Sequence, residues 1–132
     1  MNAFIIQLEN RPGSLASVAE AIAQRGINIS SASGATVGNT GSLSILTNDE
    51  AGTRSVLEAG GFAYREVGLV SAALEDKPGT LAAAARLLAD AGVNIETLLP
   101  TGMEGGKVRI AIGVSDTAAA QRALGELATV GV

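Results

Sequence analysis

Cysteine, histidine and tryptophan are all absent from this chain of 132 residues. Without cysteine there is no disulfide framework and no thiol chemistry. Without histidine, the commonest general base and the commonest metal ligand are missing. Aromatic side chains are limited to two Phe and one Tyr, so the core must be thin and aliphatic. Basic charge is scarce: nine Lys and Arg stand against 13 Asp and Glu, a net charge of −4, with no basic run. That balance argues against nucleic acid and against an anionic membrane surface as partners. No stretch approaches the ~18 apolar residues of a membrane span, and Met1–Ile6 runs into a strand-like pattern without a charged leader region. The expectation is a soluble cytoplasmic protein with no cofactor.

What the chain does have is a repeat. Glu9-Asn10-Arg11-Pro12-Gly13-Ser14-Leu15 returns as Glu75-Asp76-Lys77-Pro78-Gly79-Thr80-Leu81, and Gly26-Ile27-Asn28-Ile29 returns as Gly92-Val93-Asn94-Ile95. Both pairs of segments lie at one constant offset, which divides the chain into two domains, 1–67 and 68–132. A unit that small buries only about 60% of its unfolded surface, so the two halves are expected to pack against each other and against another chain.

Each half reads β-α-β-β-α-β. Phe4–Leu8 is an apolar strand; Leu15, Val18, Ala19 and Ile22 then fall on one helix face, with Pro12 in the first helical turn and Gly26 as the stop. Ile27–Val37 and Ser42–Thr47 form a hairpin around Gly38-Asn39-Thr40-Gly41. Asn48 or Asp49 caps a helix carrying Val56 and Leu57, and Phe62–Val67 closes the half. The second half follows with Gly68–Leu74, a helix face of Leu81, Ala84, Ala85 and Leu88, then strands Val93–Leu99 and Val108–Val114. Ser115 or Asp116 caps a helix with Ala120, Ala123, Leu124 and Leu127, and Ala128–Val132 is a short last strand. The offset slips by one residue, placed at the Gly102–Gly106 turn. The fold class is α+β: two tandem ferredoxin-like βαββαβ domains with antiparallel sheets, packed into one larger sheet. No linker separates the halves, so the fourth strand runs nearly straight into the fifth; a swapped terminal strand is an alternative.

The doubled E-[ND]-[RK]-P-G-[ST]-L segment, each copy followed by Gly-x-Asn-Ile, resembles the ACT domain family of amino-acid-sensing regulatory modules. Around Asn-Arg-Pro-Gly it is similar to the serine-sensing regulatory tail of phosphoglycerate dehydrogenase. The resemblance implies a tandem, non-catalytic, allosteric amino-acid-binding protein whose modules pair through edge strands, with ligands at domain or subunit interfaces. It implies Asn10 and Asn28 in the first copy, and Asp76 and Asn94 in the second, as the groups that hold a ligand's ammonium and carboxylate. Around them stand Pro12, Gly13, Ser14, Leu15 and Ile29, and Pro78, Gly79, Thr80, Leu81 and Ile95. Leu8 and Leu74 replace a polar residue of the serine-sensing members, which favours an apolar or generic amino acid. A homodimer is the default assembly, and a biosynthetic enzyme is a possible partner.

Elementary chemistry supports the same residues. The first turn of a helix carries unpaired N–H groups and partial positive charge, which suits a carboxylate. An amide side chain both donates and accepts, and Asp76 offers a charge to an ammonium. Rival readings stay open: Asn10 and Asp76 as simple helix caps, Asn28 and Asn94 as left-handed turn residues, Ser14 and Thr80 as caps first, and Arg11 and Lys77 as a solvated face. The Gly-rich stretches at 34–41 and 102–106 do not open helices and read as hairpin loops rather than phosphate cradles. A small ferredoxin-like enzyme would have to work with Asp, Glu, Lys, Arg or Tyr64.

Overall fold

Alternating apolar strands and single-faced helices determine the architecture seen in the computed structural model, which describes residues 1–129. The elements are β1 (Asn2–Glu9), α1 (Ser14–Gln24), β2 (Ile29–Val37), β3 (Thr40–Thr47), α2 (Glu50–Ala59), β4 (Tyr64–Glu75), α3 (Thr80–Asp90), β5 (Ile95–Glu104), β6 (Lys107–Val114), α4 (Thr117–Leu124) and β7 (Ala128–Thr129). Contacts divide the chain into a first unit, Asn2–Glu66, and a second, Met1 with the residues from Val67 on. The fold is α+β with antiparallel strand pairing and the ferredoxin-like βαββαβ order.

In the first unit β3 lies between β1 and β2, with Phe4 opposite Ile45, Ile6 opposite Leu43 and Leu8 opposite Gly41. The Gln7 amide bonds the Ala63 carbonyl, 2.9 Å away, bringing the start of the fourth strand alongside β1. Phe4 and Ile6 from the sheet pack with Val18 and Ile22 of α1, and with Val56 and Leu57 of α2. Burying a side chain of that size stabilises by about 1.5–3 kcal/mol. In the second unit β6 lies between β4 and β5, and β7 pairs β4 at Ser71 and Ala72. Its core joins Val70, Ala72 and Leu74 to Leu88, Ile112, Val114 and Leu124.

Both first helices stop in the same way. Gly26 and Gly92 adopt φ of 70° and 71°, and the next residue bonds back, Ile27 N–H to Ile22 O and Val93 N–H to Leu88 O. Those bonds satisfy carbonyls near the helix ends, and Ile27 and Val93, which lead into β2 and β5, are buried.

Several expectations are corrected. Pro12 lies in the turn before α1, not in its first helical turn, because Gly13 takes the left-handed conformation at the N-cap (φ 90°, ψ −12°). Leu15 and Leu81, expected on buried helix faces, are 54% and 47% exposed. Leu127 falls beyond α4, in a 3₁₀ turn Gly125–Leu127, since Gly125 turns the chain out of the helix. The one-residue slip is not at the hairpin turn. Gly34 and Ala35 pair with the adjacent residues Leu43 and Ser42, whereas their counterparts Pro100 and Gly102 flank Thr101 at a break in the β5 ladder. Proline cannot donate to that ladder, and the extra residue is absorbed there as a bulge. The fourth and fifth expected strands are the single strand β4. Of the last expected strand, 130–132 lie outside the described residues.

Candidate ligand-binding site

The β1–α1 loop is built by Pro12-Gly13. Gly13 holds φ 90° and its counterpart Gly79 holds φ 91°, a backbone region where an L side chain is strained. Neither α1 nor α3 has a side-chain cap on its first turn, and neither carries an acidic residue there. The other two helices differ: Asp49 accepts from Gly52 N–H at 2.8 Å to cap α2, and Asp116 accepts from Ala119 N–H at 3.0 Å to cap α4. The helices that follow Pro-Gly therefore start with polarised N–H groups that no side chain covers.

Beside the start of α1 lies a depression of about 530 Å³, walled by Leu8, Asn10, Ser14, Leu15 and Thr36 and floored by Gly34, Gly41 and Leu43. Its lining is mainly apolar, with polar side chains at the β1–α1 loop and helix start (Glu9, Asn10, Arg11, Ser14) and on the hairpin (Thr36, Ser42). Asn10 Nδ2 donates to Gly38 O at 2.9 Å, which leaves its Oδ1 as an acceptor. The Ser14 hydroxyl makes no hydrogen bond to any described residue. Arg11 pairs with Glu9 at 3.1 Å, and both largely exposed side chains are also part of the lining.

The corresponding place in the second unit holds a depression of about 230 Å³, lined by Leu74, Asp76, Gly79, Thr80, Leu81, Val108 and Ile110. Register explains the difference in size. Leu8 faces Gly41, and Gly41 faces Thr36; Leu74 faces Val108, and Val108 faces Met103. Gly34 faces Leu43, whereas Pro100 faces Ile110. Side chains thus rise in the second unit from positions that are bare in the first. The Thr80 hydroxyl is also turned into its own loop, donating toward Glu75 O (2.7 Å) and Lys77 O (3.2 Å). Lys77 pairs with Glu75 at 2.7 Å, which lowers the Glu75 carboxyl and raises the Lys77 ammonium from their ordinary values.

The predicted residues are brought together only in part. Asn10, Ser14 and Leu15 line the first depression, and Asp76, Gly79, Thr80 and Leu81 the second; Pro12, Gly13 and Pro78 shape the loops behind them. Asn28 and Ile29 stand at the opposite end of β2. Nine residues of strand, about 30 Å at ~3.3 Å each, separate them from the hairpin end where Asn10 is anchored. Asn94 and Ile95 stand likewise at the far end of β5.

Asn28 and Asn94 are not left-handed turn residues, since no non-glycine residue has positive φ among those described. Their backbones are clamped instead: Asn28 N–H donates to Asn48 Oδ1 (3.0 Å) and Asn94 N–H to Ser115 Oγ (3.1 Å). Asn10 and Asp76 do not cap helices, and neither do Ser14 and Thr80, which are the first helical residues. Sequence reasoning missed Gly34, Thr36, Gly41 and Ser42; the signal was the cross-strand register, which places Gly41 between Leu8 and Thr36, Gly34 opposite Leu43, and Ser42 between Gln7 and Ala35. Among the described residues no cluster of acidic side chains could hold a metal ion, and no helix is long and apolar enough to cross a membrane.

The loop, the bare helix start and the depression fall within one stretch that a known family shares. Residues 3–59 match the ACT domain family. The match lies within the first repeat and includes every residue that lines the larger depression. No match is found among curated proteins. A solved protein from Bacteroides thetaiotaomicron is similar with a TM-score of 0.75 and 26% identity, over 95% of this chain and 86% of that one. The ligand-free regulatory subunit of aspartate kinase from Thermus thermophilus gives a TM-score of 0.67 at 21% identity, over 96% and 91% of the two chains. The corresponding subunit from Thermus flavus gives 0.66 at 22%, over 93% and 90%. At those identities the two Thermus subunits bear on the fold alone.

Proposed function

We propose that this chain is a non-catalytic regulatory protein of two tandem ACT-like modules, and that its first module binds a free amino acid. The observation that carries this reading is the depression of about 530 Å³ at the one end of α1 that no side chain caps. A ligand carboxylate takes the place there that Asp49 fills for α2, accepting N–H bonds from the first helical turn. The ammonium meets Asn10 Oδ1, the Ser14 hydroxyl supplies a further polar contact, and the side chain lies over the apolar floor. Such bonds to a charged group are worth about 1.5–3 kcal/mol each.

Asn28 and Ile29, too distant within their own unit, contribute from a second copy of the chain, which makes a homodimer part of the proposal. Pairing two exposed β2 edges would also cover unpaired strand groups.

A thermal-shift screen over the common amino acids tests the reading. A ligand at 100 times its dissociation constant adds about 2.7 kcal/mol, a clear shift for a protein of this size. No shift with any amino acid would overturn it. Docking on a separate biosynthetic enzyme is the second reading, favoured by the large apolar side chains left exposed at Leu15 and Val37. Co-purification of such an enzyme, together with a silent amino-acid screen, would select it.

A further inference from the structure

Gly34 and Gly41 leave bare positions in the lining of the first depression; in the second unit Val108 stands at the place of Gly41 and lines the smaller depression, and Pro100 stands at the place of Gly34 in the strand register. From this difference we infer that Gly34 and Gly41 are the specificity-determining residues of the chain: they admit an apolar amino-acid side chain to the first unit, and the second unit admits none. The inference rests on the amino-acid-binding reading and adds to it the ligand class and a stoichiometry of one per chain.

Three observations converge. The first depression is more than twice the volume of the second, about 530 against 230 Å³. The larger volume leaves more room for a branched apolar side chain, and Leu8, Leu15 and Leu43 are among the residues that line it. The polar end differs in the same direction. Ser14 Oγ has no partner among the described residues, whereas Thr80 Oγ1 already donates within its loop. Finally, the two glycines are not required by the backbone, since neither has a positive φ. A Cβ at Gly34 would meet only Ser42 O at 3.5 Å and Leu43 Cδ1 at 3.7 Å, ordinary contacts. Glycine weakens a strand interior, so its presence at a position that accepts a side chain points to the space it leaves.

Titration calorimetry with L-leucine, L-isoleucine, L-valine and L-phenylalanine, each alone, and with glycine and L-aspartate as controls, tests this on the whole chain. The expected result is binding of at least one apolar amino acid at one site per chain. Gly34→Val should weaken that binding by about 10-fold or more, since its isopropyl group takes space from the ligand and a misfit of one methylene in an apolar pocket already costs about 10-fold or more. Because valine suits a strand better than glycine, the unliganded variant should melt no lower than the wild type. Gly41→Ala, whose Cβ would approach Thr36 Cγ2 at 3.3 Å, should act in the same direction and serves as the second variant. Two ligands per chain, unchanged affinity in a folded Gly34→Val, or binding confined to glycine or aspartate would overturn the inference while leaving amino-acid binding intact. Silence from all six, and from the wider screen, would instead remove the reading on which it rests.

Discussion

Asn10 Nδ2 donates to the Gly38 carbonyl at 2.9 Å, fastening the end of β1 to the tip of the β2–β3 hairpin beside the ligand depression. A second, backbone bond from Asn10 N–H to Asn39 O, 3.0 Å long, runs parallel to it. Asp76, the counterpart in the second unit, has no side-chain N–H to donate. Asn10→Ala is therefore expected to lower stability by about 0.5–1.5 kcal/mol in urea unfolding, the backbone bond remaining. It should also shrink the ligand-induced thermal shift. A full-sized shift in Asn10→Ala would detach this side chain from recognition.

Asp49 and Asp116 cap α2 and α4 in the same geometry. Replacing either by alanine should cost about 0.5–2 kcal/mol. The two residues lie in separate units with no shared partner, so the double variant should show the sum of the single losses. Ser14→Ala, which removes no cap, should stay within about 0.5 kcal/mol of the wild type. Urea midpoints of these four variants and the wild type check this.

Ile22 and Leu88 are fully buried at matching places in the two helix–sheet cores. Truncating either to alanine should destabilise by about 2–5 kcal/mol. Leu15, on the same nominal face of α1 as Ile22, is 54% exposed. Its truncation should change unfolding little and weaken ligand binding instead. A loss for Leu15→Ala as large as that for Ile22→Ala would place Leu15 in the core.

Glu66 accepts from Arg54, whose Nη2 lies 3.0 Å from Oε2, and from Asn2 Nδ2 at 3.1 Å. The hydrogen bond from Arg54 is the main reason its carboxyl sits below the ordinary glutamate value, against a smaller opposing effect of burial. A carboxyl lowered in the folded state adds stability above its unfolded pKa, about 4.3, and loses it as the pH falls through the lowered value. Acid titration of stability should thus fall less steeply below about pH 4.3 in Glu66→Gln than in the wild type. Identical acid limbs would show that the Arg54 pairing does not persist in solution.

Elements were more legible in the sequence than the site was. Phe4, Ile6, Val18 and Ile22 announced strand and helix by their spacing, and Gly26 and Gly92 announced helix ends, because these signals are local. The choice between Asn48 and Asp49 was not legible: both act, Asp49 on the helix and Asn48 on the Asn28 backbone, and only the folded strand places Asn28 within reach. The burial of Leu15 was misjudged for a similar reason. Helical periodicity gives a face but not what stands opposite, and opposite Leu15 the sheet offers Gly34 and Gly41. The Pro-Gly motif pointed to the loop, while the volume beside it depends on pairings between residues some 30 positions apart in the chain.

Two helices are closed at their starts by the chain's own aspartates, and two are left open behind Pro-Gly. Opening turns of that kind fray most readily, so deuterium should enter the backbone at Leu15 and Ala16 sooner than at Gly52 and Thr53. A molecule settling on α1 would then register as slowed uptake at that one turn, while α2 and α4 keep time as built-in references.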